Sequence, residues 1–328
     1  MHLDGLDLNL LIALDALLSE KNVTRAAERL HITQPGMSAA LQKLRGHFAD
    51  ELLEPVGRRL ELTPRARALA GPIKSILLEI KSLSAKLEQF DSSTAQRVFR
   101  IASSTYCSDL LAVPLLQRLA ELAPHISCHF DELQSSTLSR LVEGQLDFAI
   151  TIAPGLFDDP VVRDKSLSEA PLFTDRMTLV VAEGNDTVGE TISFDELCER
   201  PYAETRFGND LVGLGERVWQ QQSKAPRVRA WLPTFQLTLD AVSRTDLMAM
   251  VPARLVSLHE RRFRVRTLAV PFDVPLLEEQ IFWHRRNDTD PGHRWLRNLL
   301  TTVVAEQGLT FETADKPASS AMRTTLPR

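Results

Sequence analysis

Between Asn22 and Arg45 two short helix signals stand on either side of a two-residue connection, His31-Ile32. So tight a joint forces the second helix to cross the first at close range. Asn22 or Thr24 can cap the first of them. Ala26, Ala27 and Leu30 give it an inward face, and the small Ala27 leaves room for a crossing neighbour. Thr33 caps the second, with Pro35 tolerated in its first turn. Met37, Ala40, Leu41 and Leu44 then recur at i, i+3, i+4 and i+7, one inward stripe. An amphipathic helix carrying Leu8, Leu11, Ile12, Leu14, Leu17 and Leu18 precedes them and ends near Glu20.

This is the spacing of a helix-turn-helix, whose second helix presents its N-terminal side chains to the major groove. The outward positions are Gln34, Gly36, Ser38, Ala39 and Gln42. Gln can pair with adenine through two hydrogen bonds, and Ser can donate to base or phosphate. Pro35 and Gly36 lack bulk and let the backbone approach, while Lys43 and Arg45 suit phosphates. Spacing alone fits an αα-hairpin in a helical bundle equally well. The next segment decides between them. Leu52 to Pro55, a turn at Gly57, and Leu60 to Thr63 read as a hairpin. Its Arg58 and Arg59 make it a basic wing that can reach a phosphate or the minor groove.

The charge balance agrees. Residues 1–90 hold 12 Lys and Arg against 11 Asp and Glu, and the remainder 26 against 32, within a net charge of -5. A near-neutral head with a basic patch on an acidic body suits a DNA reader whose body stays off DNA. From Thr63-Pro64 one long helix runs to about Gln89, with Ile73, Ile76, Leu77, Ile80, Leu83 and Leu87 as an apolar stripe. A second copy of the chain is the simplest partner for such a stripe, a helix packed on its own head being the alternative.

After the polar stretch Asp91 to Gln96, strands are expected at Val98–Ala102, Ile126–Phe130 and Leu146–Ile150, with helices at Leu110–Leu122 and Thr137–Glu143 between them. That alternation implies a parallel sheet with covering helices. A second such unit begins at Met177–Ala182, and a strand Glu279–Trp283 and a helix Arg294–Ala305 complete the region. Two α/β lobes joined by crossover strands leave a cleft for a small ligand. Ser103, Ser104 and Thr105 stand where a strand runs into a helix, so their hydroxyls and free N–H groups can hold a carboxylate or phenolate or can simply cap the helix. Gln134, Ser135 and Ser136 occupy the next such turn. Arg206, Phe207 and Phe235 belong to the second lobe, and an arginine with aromatic walls suits an anionic aromatic ring. Trp283 reads as core, with His284, Arg285 and Arg286 at the exposed end of its strand, and Cys107 as an inert core thiol rather than a redox sensor.

Leu8 to Arg45, with Ala26-Ala27, Thr33-Gln34-Pro35 and Met37-Ser38-Ala39-Ala40-Leu41, resembles the head of LysR-type transcriptional regulators, as does Gly57-Arg58-Arg59 followed by Leu62-Thr63-Pro64. Gly5 to Leu11, Trp283-His284 and His293-Arg294-Trp295-Leu296 resemble the branch holding the nodulation regulator NodD, the naphthalene/salicylate regulator NahR, and LinR and PcpR of chlorinated-aromatic breakdown. The resemblance implies base contacts at Gln34, Pro35 and Ser38, Arg58 near phosphate, and a periplasmic-binding-protein-like effector domain. It implies a homodimer or homotetramer on promoter DNA, contact with RNA polymerase, and activation by a small aromatic co-inducer: a flavonoid, a salicylate-like acid, or a chlorinated phenol or hydroquinone. Pro55 stands where many members have Arg, Ala66 where many have Gly, and Arg45 where Glu is usual.

The expected organisation is a winged helix-turn-helix over 1–63, a dimerisation helix over 64–90, a two-lobed α/β effector domain over 91–311, and a disordered tail over 312–328. No cofactor or metal is expected, since Cys107, Cys128 and Cys198 are scattered and lack metal-ligand spacing. Asp4, Asp7 and Asp15 interrupt the apolar opening, and no apolar run approaches the ~20 residues of a membrane span, so a cytoplasmic protein is expected. Against an enzyme, the sequence shows no phosphate-loop glycine pattern, no Gly-x-Ser-x-Gly and no HExxH, and an enzyme would leave the N-terminal head unexplained. An exported solute-binding protein would need a signal peptide. A DNA-compacting protein would not carry so acidic a body.

Overall fold

The computed structural model describes residues 7–57, 59–85, 90–152, 166–207 and 214–310. The first of three helices, α1 (Leu8–Glu20), starts at Asp7, whose carboxylate accepts the Asn9 N–H at 3.0 Å, and stops where Lys21 turns left-handed. Asn22, rather than Thr24, caps α2 (Val23–Arg29) by accepting the Arg25 N–H at 3.0 Å. Ala26 and Ala27 are buried, which lets α1 and α3 (Gln34–Phe48) close around α2. Thr33 caps α3 by accepting the Gly36 N–H at 3.3 Å. Met37, Leu41 and Leu44 reach the core with Leu14, Leu17 and Phe48, and Ala40 is half-buried.

The wing is the antiparallel pair β1 (Leu53–Val56) and β2 (Arg59–Leu62), turned at Gly57, whose φ of +61° favours glycine. Asp50 accepts the Thr63 hydroxyl at 2.6 Å and the Leu52 N–H at 2.7 Å, which pins both ends of the wing and holds its carboxyl below the usual carboxylate range. α4 (Pro64–Ala85) carries Pro72 inside it, so the Ala68 carbonyl loses its helical partner. Its stripe divides. Ala66, Ile73 and Leu77 pack into the head's own core, whereas Ile76 is 44% exposed. A partner helix is therefore left the Ile76 side, not the whole stripe.

The first lobe is one mixed sheet in the order β4-β3-β5-β12-β6. β3 (Arg97–Ser103), β4 (Ile126–Glu132) and β5 (Phe148–Ile152) run parallel, with α5 (Thr105–Leu122) and α6 (Thr137–Val142) between them. α5 starts five residues before the expected Leu110, because Ser104 caps it by accepting the Cys107 N–H at 3.1 Å. β6 (Leu167–Asp175) passes through Arg176 into β7 (Met177–Ala182) of the second lobe. There follow α7 (Phe194–Glu199), β8 (Pro201–Thr205), α8 (Leu214–Gln220), β9 (Arg227–Leu232), α9 (Phe235–Ser243), β10 (Ala249–Pro252), α10 (Ala253–Leu258) and β11 (Val265–Leu268). β7 pairs antiparallel with β10 and β11; β8 and β9 are parallel and reach β10's end through a bridge between Tyr202 and Met248. The chain returns as β12 (Leu277–His284), antiparallel to both β5 and β6, and ends in α11 (Pro291–Glu306) against α5. The sheet is therefore not all-parallel as expected: a strand coming home from the other lobe enters in the opposite sense.

Trp283 is core as expected, but His284 is buried rather than at an exposed end, and its Nδ1 accepts the Arg286 N–H at 3.1 Å. Among the described residues no group of His, Cys, Asp and Glu could hold a metal, and no helix is long and apolar enough to cross a membrane. The expected tail at 312–328 lies outside the described residues.

Candidate DNA-reading head and effector cleft

Gln34, Pro35, Gly36, Ala39, Gln42 and Lys43 are exposed along one side of α3, and Ser38 is partly so. Their burial is opposite to that of Met37, Leu41 and Leu44, so one helix has an anchored face and a free one. Gln34 Nε2 donates to Ser38 Oγ at 3.2 Å, which orients two side chains of the free face. Thr33 is exposed, but its hydroxyl is engaged as the cap. The Arg45 guanidinium donates to the carbonyls of Glu51 at 2.9 Å and Leu53 at 3.1 Å and pairs with the Glu51 carboxylate, so it ties α3 to the wing. Arg59 is exposed on the wing; Arg58 lies outside the described residues. Arg65 and Arg67, exposed in the first turns of α4 beside the wing, escaped the sequence reading. The signal was there in Pro64-Arg65-Ala66-Arg67, two cations flanking a core alanine.

The second candidate site lies where the lobes meet. The N-termini of α5 and α9 converge there. The ring of Tyr106, in the first turn of α5, stands 6.4 Å from that of Phe235, which opens α9. Phe207, just after β8, stands 5.3 Å from Phe235 on the other side. Gln236 donates across the lobe boundary to Asp109 of α5. His259 stands 3.9 Å from the same carboxylate, which burial pushes above its ordinary value. Behind this aromatic row, the Tyr106 hydroxyl donates to Asp175 Oδ2 at 2.6 Å, and Asp175 also accepts the backbone N–H groups of Arg176 and Arg254. Burial pushes the Glu279 carboxyl up to about 7, and the nearby Asp175 adds to the rise.

Two of the expected hydroxyls are engaged within the protein. Ser103 is buried and shares a hydrogen bond of 2.6 Å with Ser108, so it lies behind the cleft. Ser104 accepts the Cys107 N–H. Thr105 Oγ1, by contrast, is buried without a hydrogen bond among the described residues. Ser135 is exposed before α6, and Arg206 is exposed with its N–H bonded to the Leu232 carbonyl. Phe207 and Phe235 are brought together; Tyr106, Asp109 and Gln236 are the members that sequence reading missed. Cys107 is buried and its thiol is pushed well up by burial, the opposite of a reactive thiolate.

Residues 8–67 match the family model of bacterial regulatory helix-turn-helix proteins, lysR family, and residues 92–305 match that of the LysR substrate binding domain. Nodulation protein D 3 of Rhizobium leguminosarum bv. phaseoli is 33% identical over 306 residues, 93% of this chain and 99% of its own. Nodulation protein D 1 of Rhizobium meliloti (strain 1021) is 33% identical over 301 residues, 92% of this chain and 96% of its own. A probable transcriptional regulator from Pseudomonas aeruginosa, of known structure, is 25% identical, superposes with a TM-score of 0.61, and is matched over 94% of this chain and 98% of its own. Full-length OxyR from the same organism shares the fold, with a TM-score of 0.71 at 18% identity over 97% of this chain and 100% of its own. Head, body and relatives agree: the chain belongs to the LysR family of DNA-binding transcriptional regulators, not to an enzyme family.

Proposed function

We propose that this regulator activates genes connected with an aromatic compound and that a small aromatic effector bound between its lobes controls it. The observation that carries the reading is the half-buried aromatic pair Phe207 and Phe235, backed by the buried Tyr106 across the lobe boundary at the N-termini of α5 and α9. Aromatic walls bind a flat ring, and two helix N-termini with the Thr105 hydroxyl offer donors to a phenolate or carboxylate on it. Ser104, Ser135 and Arg206 line the approach.

The head over 1–63 reads promoter DNA. Gln34, Pro35, Gly36, Ser38 and Gln42 meet the bases, and Lys43, Arg59 and Arg58 meet phosphates. The helix over 64–90 joins two copies through the Ile76 side, and the domains over 91–311 pair again into a tetramer in the cytoplasm. An effector shifts the protein only by binding one lobe arrangement better than the other. The favoured arrangement then lets RNA polymerase engage.

Calorimetric titration of the full chain with salicylate, the flavone luteolin and chlorohydroquinone tests this. Saturable binding of one of them, weakened in Phe235→Ala, is the expected result. No binding by any of them, or binding that Phe235→Ala leaves unchanged, overturns the aromatic site.

A further inference from the structure

β12 begins in one lobe and ends beneath the helix that carries the DNA-reading head. Leu277, its first residue, belongs to the core of the second lobe. Glu279 lies where β12 pairs at once with Ile152 of β5 and Phe173 of β6, and the register with β6 slips between Glu279 and Gln280. From there the strand crosses the first-lobe sheet, where Phe282 packs with Leu141 of α6. It closes in a 3-10 turn at Arg285–Asn287. Eight extended residues span about 27 Å.

Arg286 in that turn meets both α6 and α4. Its Nη2 donates to the carbonyls of Leu141 at 3.1 Å and Val142 at 2.7 Å, while Nη1 is buried without a hydrogen bond among the described residues. Its charge lies in the field of Glu79 on α4. Leu78, one residue earlier on α4, rests on Gly144 so closely that a methyl group there would collide with Leu78 Cδ1 and come within 3.2 Å of Arg286 Nη2. Gly144 also needs its glycine for a φ of +68°. Leu78 lies on a different side of α4 from Ile73 and Leu77, which serve the head.

We infer that β12 and its 3-10 turn act as a connecting rod, so that the seat of Leu78 and Glu79 on Gly144 and Arg286 couples the arrangement of the two lobes to the orientation of the heads. Glu279 to Phe282 are held on both edges, by β5 and β6, and the flanking residues by β6, so a rotation that moves Leu277 is carried along the strand to the turn under α4. This rests on reading the chain as a two-lobed regulator but not on the identity of any effector.

Coupling between two sites is reciprocal. If the lobes bias the heads, DNA on the heads must alter the lobes. Hydrogen–deuterium exchange of the full chain, with and without a duplex from upstream of its own gene, reads this directly. On DNA binding, the native chain is expected to change exchange both in α3 and in peptides covering 277–287, far from the duplex. Leu78→Ala should still bind the duplex and keep the α3 response, while its 277–287 response is largely lost, because coupling between the two sites is reciprocal. Leu78→Met should keep both. Where Leu78→Ala does not give a folded protein, Glu79→Gln serves in its place, with the same loss at 277–287 expected. A native chain whose 277–287 segment ignores DNA, or a full response in the folded variant, overturns the inference. Failure of the aromatic-effector reading would look different: no aromatic ligand bound, with the DNA response intact.

Discussion

Replacing Glu279 by Gln should flatten the pH dependence of the effector region's stability. Glu279 is 3% exposed on the strand that crosses between the lobes. Burial, against the lowering bond from the Cys107 thiol and with a smaller push from Asp175, brings its carboxyl up to about 7 from an ordinary value of 4.5. Between those two values the folded chain holds a proton that the unfolded chain has released. Stability from this group is therefore full near pH 4.5 and falls as pH climbs to about 7, beyond which the loss is complete. One pKa unit corresponds to about 1.4 kcal/mol, which sets a ceiling of about 3 kcal/mol. Relaxation and water entry should leave about 1–2 kcal/mol of it. Glutamine keeps the shape of the neutral acid and cannot ionise. The two proteins should thus unfold alike in urea near pH 5, and Glu279→Gln should be the more stable by about 1–2 kcal/mol near pH 8. All four tryptophans lie beyond residue 200, so their fluorescence follows the effector region and ignores the head. Glu204, pushed up to about 8 by burial and then by Glu216, gives both proteins a shared residual decline. Equal pH dependence in the two proteins would refute the reasoning, because Glu279 would then be ionising as freely as in water.

Four further substitutions have outcomes set by single side chains. Met37 is fully buried under α3, so Met37→Ala should cost about 2–4 kcal/mol and abolish DNA binding while tryptophan fluorescence stays native. Arg45 bonds to the carbonyls of Glu51 and Leu53; Arg45→Ala should therefore loosen the head by about 1–2 kcal/mol without changing the salt dependence of DNA binding, whereas Lys43→Ala should lower that slope by about one. Phe235 stands between Phe207 and Tyr106, and Phe235→Ala should weaken a bound aromatic ligand about tenfold with the affinity for DNA unaltered.

The head was legible because its determinants are local. Thr33, Pro35 and the Met37, Leu41 and Leu44 spacing act within one helix, and the Gly57 turn within one hairpin. The seat of Arg45 is not local: it finds carbonyls six and eight residues on, which only the folded wing sets in place. The apolar stripe of α4 was legible as a stripe but not in its division, since Ile73 and Leu77 face their own head and spacing alone does not name a partner. In the body, the strand and helix alternation was readable, but the antiparallel entry of β12 depends on where the chain returns from. The start of α5 was hidden by the polar Ser108 and Asp109, which interrupt the apolar pattern after the Ser104 cap. The cleft was half visible. Phe207 and Phe235 show as aromatics beside strand ends, but Asp109 and Gln236 meet across 127 residues, and no periodicity signals that.

The central claim is that the exposed side of α3 reads a particular promoter sequence. Fluorescence-anisotropy titration tests it most directly, with duplex from upstream of the chain's own and neighbouring genes against scrambled duplex at several salt concentrations. The account predicts tight binding with a preference for one interrupted palindrome, a preference that Gln34→Ala and Ser38→Ala lose while keeping the salt-dependent, sequence-blind part. Equal binding to every duplex by the native chain, or a preference that survives in both variants, would contradict it.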